Sequence, residues 1–200
     1  MKAIDWQQFL HEQRDRYGKV VFSPTELANA SSQEWPALKG ALSRLVAQGV
    51  IERYVEGRYG LPRAVAVEDL VRSLDPAAYV SGIYALYRHQ LITQVPTEIH
   101  CFTDRRHNRS RVRASSLGRI VFVCVTGPVY AYPNQDIIAP PEQALCDYVY
   151  LCRKQGIDSS SVVTFRNLNR LDIEKLRAHL SRYPKTVSKE VVQILPPRPR

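Results

Sequence analysis

The sequence predicts an α+β protein, and three observations support this prediction. Apolar residues recur at helical spacing in several segments, among them 4–17 and 142–155. An alternating run at 97–103 and a continuous apolar run at 120–126 are typical of strands. Of the 200 residues, 44% are hydrophobic, so the chain can bury a core. The longest unbroken apolar run, 120–125, is far shorter than the roughly 20 residues of a membrane-spanning helix.

The N-terminus and the cysteines together favour a cytoplasmic protein. No apolar stretch follows the first residues, as it would in a signal peptide. The cysteines are too sparse for a disulfide framework, and no two of them are spaced as Cys-x-x-Cys. They are Cys101, Cys124, Cys146 and Cys152. We therefore expect a soluble cytoplasmic protein with reduced thiols and no contact with a membrane.

Two helices are predicted at the N-terminus. In the first, over residues 4–17, the apolar side chains share one face, and Gly18 ends the helix. Ser23 then begins a second, short helix as its N-cap. Pro24 occupies the first helical position, and Glu26 completes a capping box with Ser23. The capping box is the most specific local signal in this part of the chain.

A third helix and a hairpin follow. The helix is predicted over residues 33–48, with Ser31 or Ser32 as its N-cap. Two short strands, 50–54 and 58–61, then surround a tight glycine turn. Three helices followed by a two-stranded hairpin are typical of a winged helix-turn-helix. The sequence thus predicts such a domain over 1–63. Modules of this kind bind DNA with the third helix and the hairpin, or wing, but some dock proteins instead, and both readings stay open.

The third predicted helix has an apolar face and a polar face when residues advance by about 100° each. Leu38, Leu42 and Leu45 mark the face directed into the core, and Trp35 at its edge is expected to pack. The opposite face combines small, hydrogen-bonding and basic residues, which suits a major groove. With the wing, it supplies the predicted contacts to double-stranded DNA: Ser32, Gln33, Pro36, Lys39, Ser43, Arg44, Arg53, Arg58 and Tyr59.

The remainder, residues 64–195, is predicted to be a second, mixed α/β domain. Its helices are expected at 67–73, from Ser81 as N-cap to about 90, at 142–155 after Pro140-Pro141, after Asp172 as N-cap, and at 187–195. Its strands are expected at 97–103, 120–126 and 129–132. The tail, 196–200, is expected to fray.

Positive charge is distributed unevenly along the chain, whose formal net charge is +9. Residues 1–63 carry 9 bases and 7 acids, a net +2; residues 64–150 carry 8 of each; residues 151–200 carry 11 and 4, a net +7. Within the neutral middle segment, residues 105–119 hold several arginines and no acid. This run is either a solvated loop between strands or an arm that binds a polyanion.

No set of residues in the sequence points to catalysis. There is no glycine-rich phosphate loop, no zinc-ligand spacing and no serine elbow, and the five histidines are scattered. Asp172 and Glu174 are better explained as a helix cap and a first-turn acid than as metal ligands. We therefore predict no enzyme, no metal and no cofactor.

Three stretches resemble one known family. They read Phe-Ser-Pro-Thr-Glu-Leu at 22–27, Tyr-Val-Ser-Gly-Ile-Tyr-Ala-Leu-Tyr at 79–87 with Pro-Thr-Glu-Ile at 96–99, and Ile-Ala-Pro-Pro-Glu-Gln-Ala-Leu-Cys-Asp at 138–147. Together with the winged helix, they resemble the AbiEi-type antitoxins of type IV toxin–antitoxin systems. The resemblance covers about residues 20–195, and Pro140 stands where similar proteins often have serine.

The resemblance implies a protein with two functions. The winged helix would bind inverted repeats in its own promoter and repress the operon, as a monomer, a dimer or two copies per operator. The second domain would counteract a nucleotidyltransferase-like toxin without requiring a stable complex with it. Similar proteins also use positive surface on both domains for DNA. The candidates here are Arg105, Arg106, Arg109, Arg111, Arg113, Arg166, Arg170, Lys175 and Arg177.

Two other functions remain compatible with the sequence. The chain could be a stand-alone winged-helix regulator whose second domain senses a ligand or a partner. It could also be an enzyme that acts on nucleic acid and uses the winged helix for docking. A toxin reading frame immediately downstream would favour the antitoxin, and its absence would favour the stand-alone regulator.

Overall fold

The computed structural model describes residues 2–133 and 136–196, and it confirms the predicted α+β class. The chain divides into two compact units. Unit 1 comprises Met1–Pro76 and Ala114–Leu117, and unit 2 comprises Ala77–Arg113 and Gly118–Arg200. The boundary predicted at residue 63 therefore falls inside unit 1.

Unit 1 contains four helices and a two-stranded antiparallel sheet. In chain order they are α1 (Ala3–Tyr17), α2 (Pro24–Ser31), α3 (Trp35–Ala47), β1 (Glu52–Val55), β2 (Arg58–Gly60) and α4 (Val67–Leu74). Phe22, between α1 and α2, adds a short bridge to β2: its amide donates to the Tyr59 carbonyl at 2.8 Å, and the Tyr59 amide donates back at 2.9 Å. The hairpin is thereby widened into the beginning of a third strand.

The ends of α1 and α2 follow local sequence rules, as predicted. Gly18 ends α1 with φ of +63°, a backbone conformation that costs glycine little. At α2, the Ser23 hydroxyl oxygen accepts the Glu26 amide at 3.3 Å. The Glu26 carboxylate accepts the Ser23 amide at 2.8 Å, which completes the capping box.

The predicted start of the third helix is wrong by two residues. Ser32 does not cap α3; it ends α2 in a left-handed conformation, with φ of +52°. The N-cap of α3 is Glu34, whose carbonyl accepts the Leu38 amide at 3.0 Å. A helix begun at residue 33 would place Pro36 where the first helical amide donor is needed. Started at Trp35, the helix holds Pro36 at a position whose amide has no helical partner anyway.

The core of unit 1 is a single apolar cluster contributed by all three N-terminal helices and the hairpin region. Its buried members are Trp6, Leu10, Phe22, Leu27, Leu38, Leu42, Leu45, Ile51 and Leu61. At its edge the buried Tyr54 hydroxyl donates to the Leu61 carbonyl at 2.7 Å and accepts the Ala64 amide at 3.1 Å. This pair of bonds fixes the segment that leaves the hairpin.

Unit 2 is organised around a mixed sheet. The strands of this sheet are β3 (Tyr79–Ser81), β4 (Glu98–Thr103), β5 (Val112–Ser115) and β6 (Gly118–Cys124), in the spatial order β3-β4-β6-β5. The last two residues of β5 belong to unit 1 in the division given above. β3 pairs antiparallel with β4, and β4 pairs parallel with β6. The centre of β6 is buried on both faces, as its continuous apolar run predicts.

Five helices complete unit 2, and the longest lies at its centre. They are α5 (Gly82–Arg88), α6 (Pro141–Gln155), α7 (Ser159–Val162), α8 (Ile173–Leu180) and α9 (Lys185–Ile194). α6 packs against α5, α8 and α9; its residues 142–149 are buried, whereas its last three residues are exposed. Asp172 caps α8 as predicted, since its carboxylate accepts two amides of the first turn. Of the tail expected to fray, residues 197–200 lie outside the described residues.

Three predictions for unit 2 need correction. Residues 129–132 form no strand: a 3-10 turn at Gly127–Val129 precedes an irregular segment, and the Tyr130 hydroxyl donates to the Ala77 carbonyl at 2.7 Å. The Ser81 hydroxyl does not cap α5 but points into the interior. The strands β3 and β5 were not predicted, because each is too short to show an alternating pattern.

The interior of unit 2 holds a fully buried carboxylate. Asp147 on α6 accepts a hydrogen bond from the Ser81 hydroxyl at 2.6 Å and another from the Tyr183 hydroxyl at 2.8 Å. Burial raises the pKa of Asp147 to about 7, and the two hydroxyl donors limit the rise. Nearby, Glu142 on the same helix accepts the Asp172 amide at 2.9 Å. Buried polar contacts thus join α6 to β3, to the start of α8 and to the segment before α9.

Among the described residues, no helix is both long and apolar enough to cross a membrane.

Candidate nucleic-acid interface

The N-terminal core leaves the outward face of α3 uncovered. Leu38, Leu42 and Leu45 bind α3 to the core of unit 1, so the residues between them face solvent. The exposed side chains on this face include Pro36, Lys39, Ser43 and Arg44, all predicted DNA contacts. No acidic residue lies within α3 itself, although Glu34 stands exposed at its N-cap.

Gly40 in the middle of α3 has no internal reason to be small. A methyl group there would meet only the flexible end of the Arg44 side chain, at 3.5 Å. Glycine in a helix interior is about 1 kcal/mol less favourable than alanine. The chain itself would therefore tolerate alanine at this position. A close approach by something outside the chain is a physical reason for glycine there.

Two predicted positions near the start of α3 differ from expectation. Trp35 is not packed at the edge of the core. It is the first residue of α3, and its side chain is 53% exposed. Gln33 lies in the turn before the helix, half-buried, and its side-chain oxygen is buried with no hydrogen-bond partner among the described residues. Trp35 is thus a surface aromatic that the helical projection missed.

The charges of unit 1 leave three bases of the candidate interface without acidic partners. Arg14, Arg16, Lys19 and Arg72 each lie beside a carboxylate of the same unit. Lys39, Arg44 and Arg53, by contrast, form no salt bridge with any carboxylate in the part of the chain that the structure describes. An anion approaching α3 and β1 therefore does not have to displace an internal ion pair.

The predicted wing residues of the β1–β2 hairpin differ in exposure and in hydrogen bonding. Arg53 on β1 is exposed and faces solvent. Arg58 on β2 instead directs its guanidinium inward and donates to the Ser73 carbonyl at 2.8 Å and to the Gly57 carbonyl at 2.8 Å. The Tyr59 ring packs against the core of unit 1. A DNA phosphate would have to compete with backbone acceptors for Arg58, whereas Arg53 is available.

The predicted second basic surface does not form one continuous patch. In unit 2 a basic cleft of about 470 Å³ is lined by Arg105, Arg106 and Arg111 from the loop after β4 and by Lys154 from α6, together with His107 and Phe122. No acidic residue lines it. Arg109 is exposed on the same loop, and Arg113 is half-buried at the start of β5. Lys154 could be found only from the structure, since it is distant from the arginine run in sequence.

The remaining candidates lie elsewhere in unit 2, and most have internal partners. The Arg166 guanidinium donates to the Gln90 carbonyl at 3.2 Å. On α8, Lys175 lies 3.8 Å from the Asp172 carboxylate, and Arg177 lies 2.9 Å from that of Glu174. Arg170 is exposed in the turn before α8. Such exposed pairs contribute little energy and lower the local net charge.

Burial shifts the pKa of several cysteine and histidine side chains in unit 2. All four cysteines are free, and burial raises the pKa of the Cys146 and Cys152 thiols. Burial also lowers the pKa of His100 and of His179. Among the described residues, no three histidine, cysteine or carboxylate side chains are grouped closely enough to hold a metal ion.

Comparison with known proteins finds no match: no family model fits the chain, and no curated protein is significantly similar to it.

Proposed function

We propose that unit 1 is a winged helix-turn-helix that binds double-stranded DNA, with α3 as the recognition helix and the β1–β2 hairpin as the wing. The order of elements supports this proposal, as does the isolated bridge by which Phe22 pairs with Tyr59 of β2 beside the hairpin. The observation that carries DNA binding is the outward face of α3. It combines two unpaired bases, Lys39 and Arg44, with a glycine that nothing inside the chain requires.

The experiment is a DNA-binding measurement with full-length protein and a duplex from its own promoter region. Replacing Lys39 and Arg44 together by alanine removes two contacts, so the affinity should fall by at least about tenfold, and the dependence on salt should weaken. The matched control replaces Arg16 and Arg72, two bases of the same unit that already have acidic partners. If both double variants bind alike, net charge rather than α3 governs the affinity, and the assignment is wrong.

Two single variants make the same test more specific. Gly40→Ala should raise the stability of unit 1 and weaken DNA binding, because the added methyl group favours the helix and obstructs close approach. Glu34→Gln should strengthen binding, because it removes the one carboxylate at the start of α3. A weakened complex in the second case would mean that the N-terminal end of α3 does not face the phosphates.

We further propose, from the sequence motifs, that the DNA-binding protein represses its own operon and acts as an antitoxin. Growth rescue tests this role: the chain, expressed with the product of the adjoining reading frame, should restore growth that this product alone inhibits. Rescue should persist when Lys39 and Arg44 are replaced, since repression and antitoxin activity would reside in different units. A chain that fails to rescue but still binds its promoter would be a stand-alone regulator, which the clefts of unit 2 also suit.

A further inference from the structure

The basic cleft of unit 2 is held in shape by the chain itself. The His107 ring stacks on the buried Phe122 ring, with centroids 4.0 Å apart and planes 12° from parallel. The Ser110 amide and hydroxyl both donate to the His107 carbonyl, at 2.8 and 2.9 Å. The Phe122 amide donates to the Arg111 carbonyl at 2.8 Å. The loop that carries the arginines is therefore anchored to β6 and differs from a freely solvated loop.

Three cationic side chains of this cleft have no acidic partner among the residues that the structure describes. Arg106, Arg111 and Lys154 are exposed and form no salt bridge with a carboxylate among the described residues. The cleft also adjoins the C-terminal end of α6, where the helix carries partial negative charge. The arginines must therefore provide most of the attraction for an anion, and arginine forms paired hydrogen bonds to phosphate oxygens.

A second pocket, largely apolar, adjoins the basic cleft. It measures about 250 Å³; its lining includes the apolar side chains Ile83, Pro96, Leu151, Ile157 and Val162 and also the polar side chains Thr97, Glu98, His100, Tyr148 and Gln155. Leu151 and Gln155 line both this apolar pocket and the basic cleft, so the two cavities are immediate neighbours and share these two side chains. The apolar pocket is smaller than most sites that enclose a whole ligand, about 300–1,000 Å³, and so suits one ring system of a larger molecule.

We propose that unit 2 binds a nucleoside di- or triphosphate, with the phosphates in the basic cleft and the base in the adjoining apolar pocket. A ligand that spans both must join a flat, mainly apolar ring to several negative charges, and nucleotides have this composition. Gln155, which also lines the apolar pocket, offers hydrogen-bonding groups for the edge of a base, whereas the Glu98 carboxylate there already lies 3.4 Å from Arg119 and 3.5 Å from His100. The inference goes beyond DNA binding by unit 1 and does not depend on it.

Calorimetric titration of the full-length protein with ATP, GTP, inorganic tripolyphosphate and adenosine tests the proposal. At least one nucleotide should bind with one site per chain. Tripolyphosphate should bind roughly tenfold more weakly or worse, because it leaves the apolar pocket empty, and adenosine should bind more weakly still. Equal affinities for nucleotide and tripolyphosphate would overturn the assignment of the base. No binding of either nucleotide at millimolar concentration would overturn the proposal entirely.

Two sets of variants separate the contributions of the basic cleft and of the apolar pocket to nucleotide affinity. Arg106→Ala with Arg111→Ala should lower nucleotide affinity by at least about tenfold. Arg170→Ala with Arg177→Ala, which removes the same charge elsewhere in unit 2, should leave it unchanged. Ile157→Asp adds a carboxylate to the wall of the apolar pocket; it should weaken nucleotide binding and spare tripolyphosphate. Equal losses in the two arginine pairs, with thermal stability retained, would show that net charge rather than a built site holds the ligand.

Discussion

Unit 1 and unit 2 differ most in what their interiors contain. The core cluster of unit 1, from Trp6 to Leu61, consists of apolar side chains; the buried carboxylate of unit 1, Asp75, lies outside this cluster at the end of α4. Unit 2 buries polar and charged groups among its apolar residues: Ser81, Thr103, Glu142, Gln143, Asp147 and Ser159. A hydrophobic stripe on each helix is enough to specify the first interior. The second also depends on hydrogen bonds between residues that are far apart in sequence, such as Ser81 with Asp147.

This difference means that the two units should respond differently to mutation and to pH. An apolar core loses stability in proportion to the volume removed, and it is insensitive to pH. A buried carboxylate couples stability to its own protonation. Variants of each unit can show whether their stabilities respond to mutation and to pH in these two ways.

The largest effect is expected from a cavity in unit 1. Leu38→Ala should lower the free energy of unfolding by about 3 kcal/mol, since Leu38 is fully buried at the centre of the cluster and its removal leaves a void. Lys39→Ala, one position further along α3 and exposed, should change it by less than about 0.5 kcal/mol. Urea unfolding measures both. Similar values for the two variants would mean that α3 is not anchored at Leu38.

In unit 2, the expected effect depends on pH through Asp147. Its folded pKa of about 7 lies above its unfolded value of about 3.9, so the folded state keeps a proton that the unfolded state has lost. The corresponding stability is fully present below about pH 4 and is lost as pH rises from about 4 to 7. Relative to Asp147→Asn, wild-type stability should therefore fall by at most about 1.4 kcal/mol per pH unit in this range.

The asparagine variant serves as its own control, because every other carboxylate of the chain titrates in both proteins. Denaturant unfolding at several pH values between 4 and 8 gives the difference directly. Above pH 7 the difference should become constant. A difference that does not vary with pH would mean that Asp147 has the same pKa in the folded and unfolded chains. The polar interior of unit 2 would then respond to pH no more than the apolar core of unit 1 does.

A smaller effect is expected from one donor to the same carboxylate. Tyr183→Phe removes the hydroxyl that lies 2.8 Å from Asp147. It should cost about 2 kcal/mol above pH 7, where the acceptor is ionised, and about 1 kcal/mol near pH 5, where it is neutral. Tyr150→Phe is the matched control, since its ring contacts Tyr183 but its hydroxyl has no hydrogen-bond partner among the described residues. Equal costs at both pH values would contradict the proposed titration of Asp147.

The contrast between the units also explains which parts of the fold could be predicted from sequence. In unit 1 the capping box at Ser23 and the leucines of α3 are local patterns, and the helices they predict are present. In unit 2 the short strand Tyr79–Ser81 is defined by its pairing with residues 100–102, which no local pattern reveals. Residues 129–132 are apolar and aromatic as in a strand, but they form an irregular segment in which the rings of Tyr130 and Tyr132 contact Tyr79.

The candidate interface was predictable to a similar, partial extent. Helical spacing identified Lys39 and Arg44, because exposure on a regular helix follows from its periodicity. The same projection failed for Trp35, which is exposed at the first position of α3. A projection gives the direction of a side chain but not how far along the helix the core extends. Arg53 and Arg58 look equivalent in sequence. Their roles differ because Arg58 donates a hydrogen bond to the carbonyl of Ser73, a residue of α4.

The smallest predicted effects concern Arg53 and Arg58. Replacing one should change DNA affinity, and replacing the other should change stability. Arg58→Ala should lower stability by about 1 kcal/mol, because two backbone acceptors lose their donor, and it should change DNA affinity little. Arg53→Ala should leave stability within about 0.5 kcal/mol of wild type and weaken DNA binding severalfold, since its exposed guanidinium has no internal partner to lose. Thermal unfolding and fluorescence anisotropy of the same samples separate the two effects.

If Arg58→Ala instead weakens DNA binding more than Arg53→Ala does, the guanidinium of Arg58 must leave the Ser73 carbonyl on binding. The wing would then rearrange on DNA, and unit 1 would be less rigid than its apolar core implies.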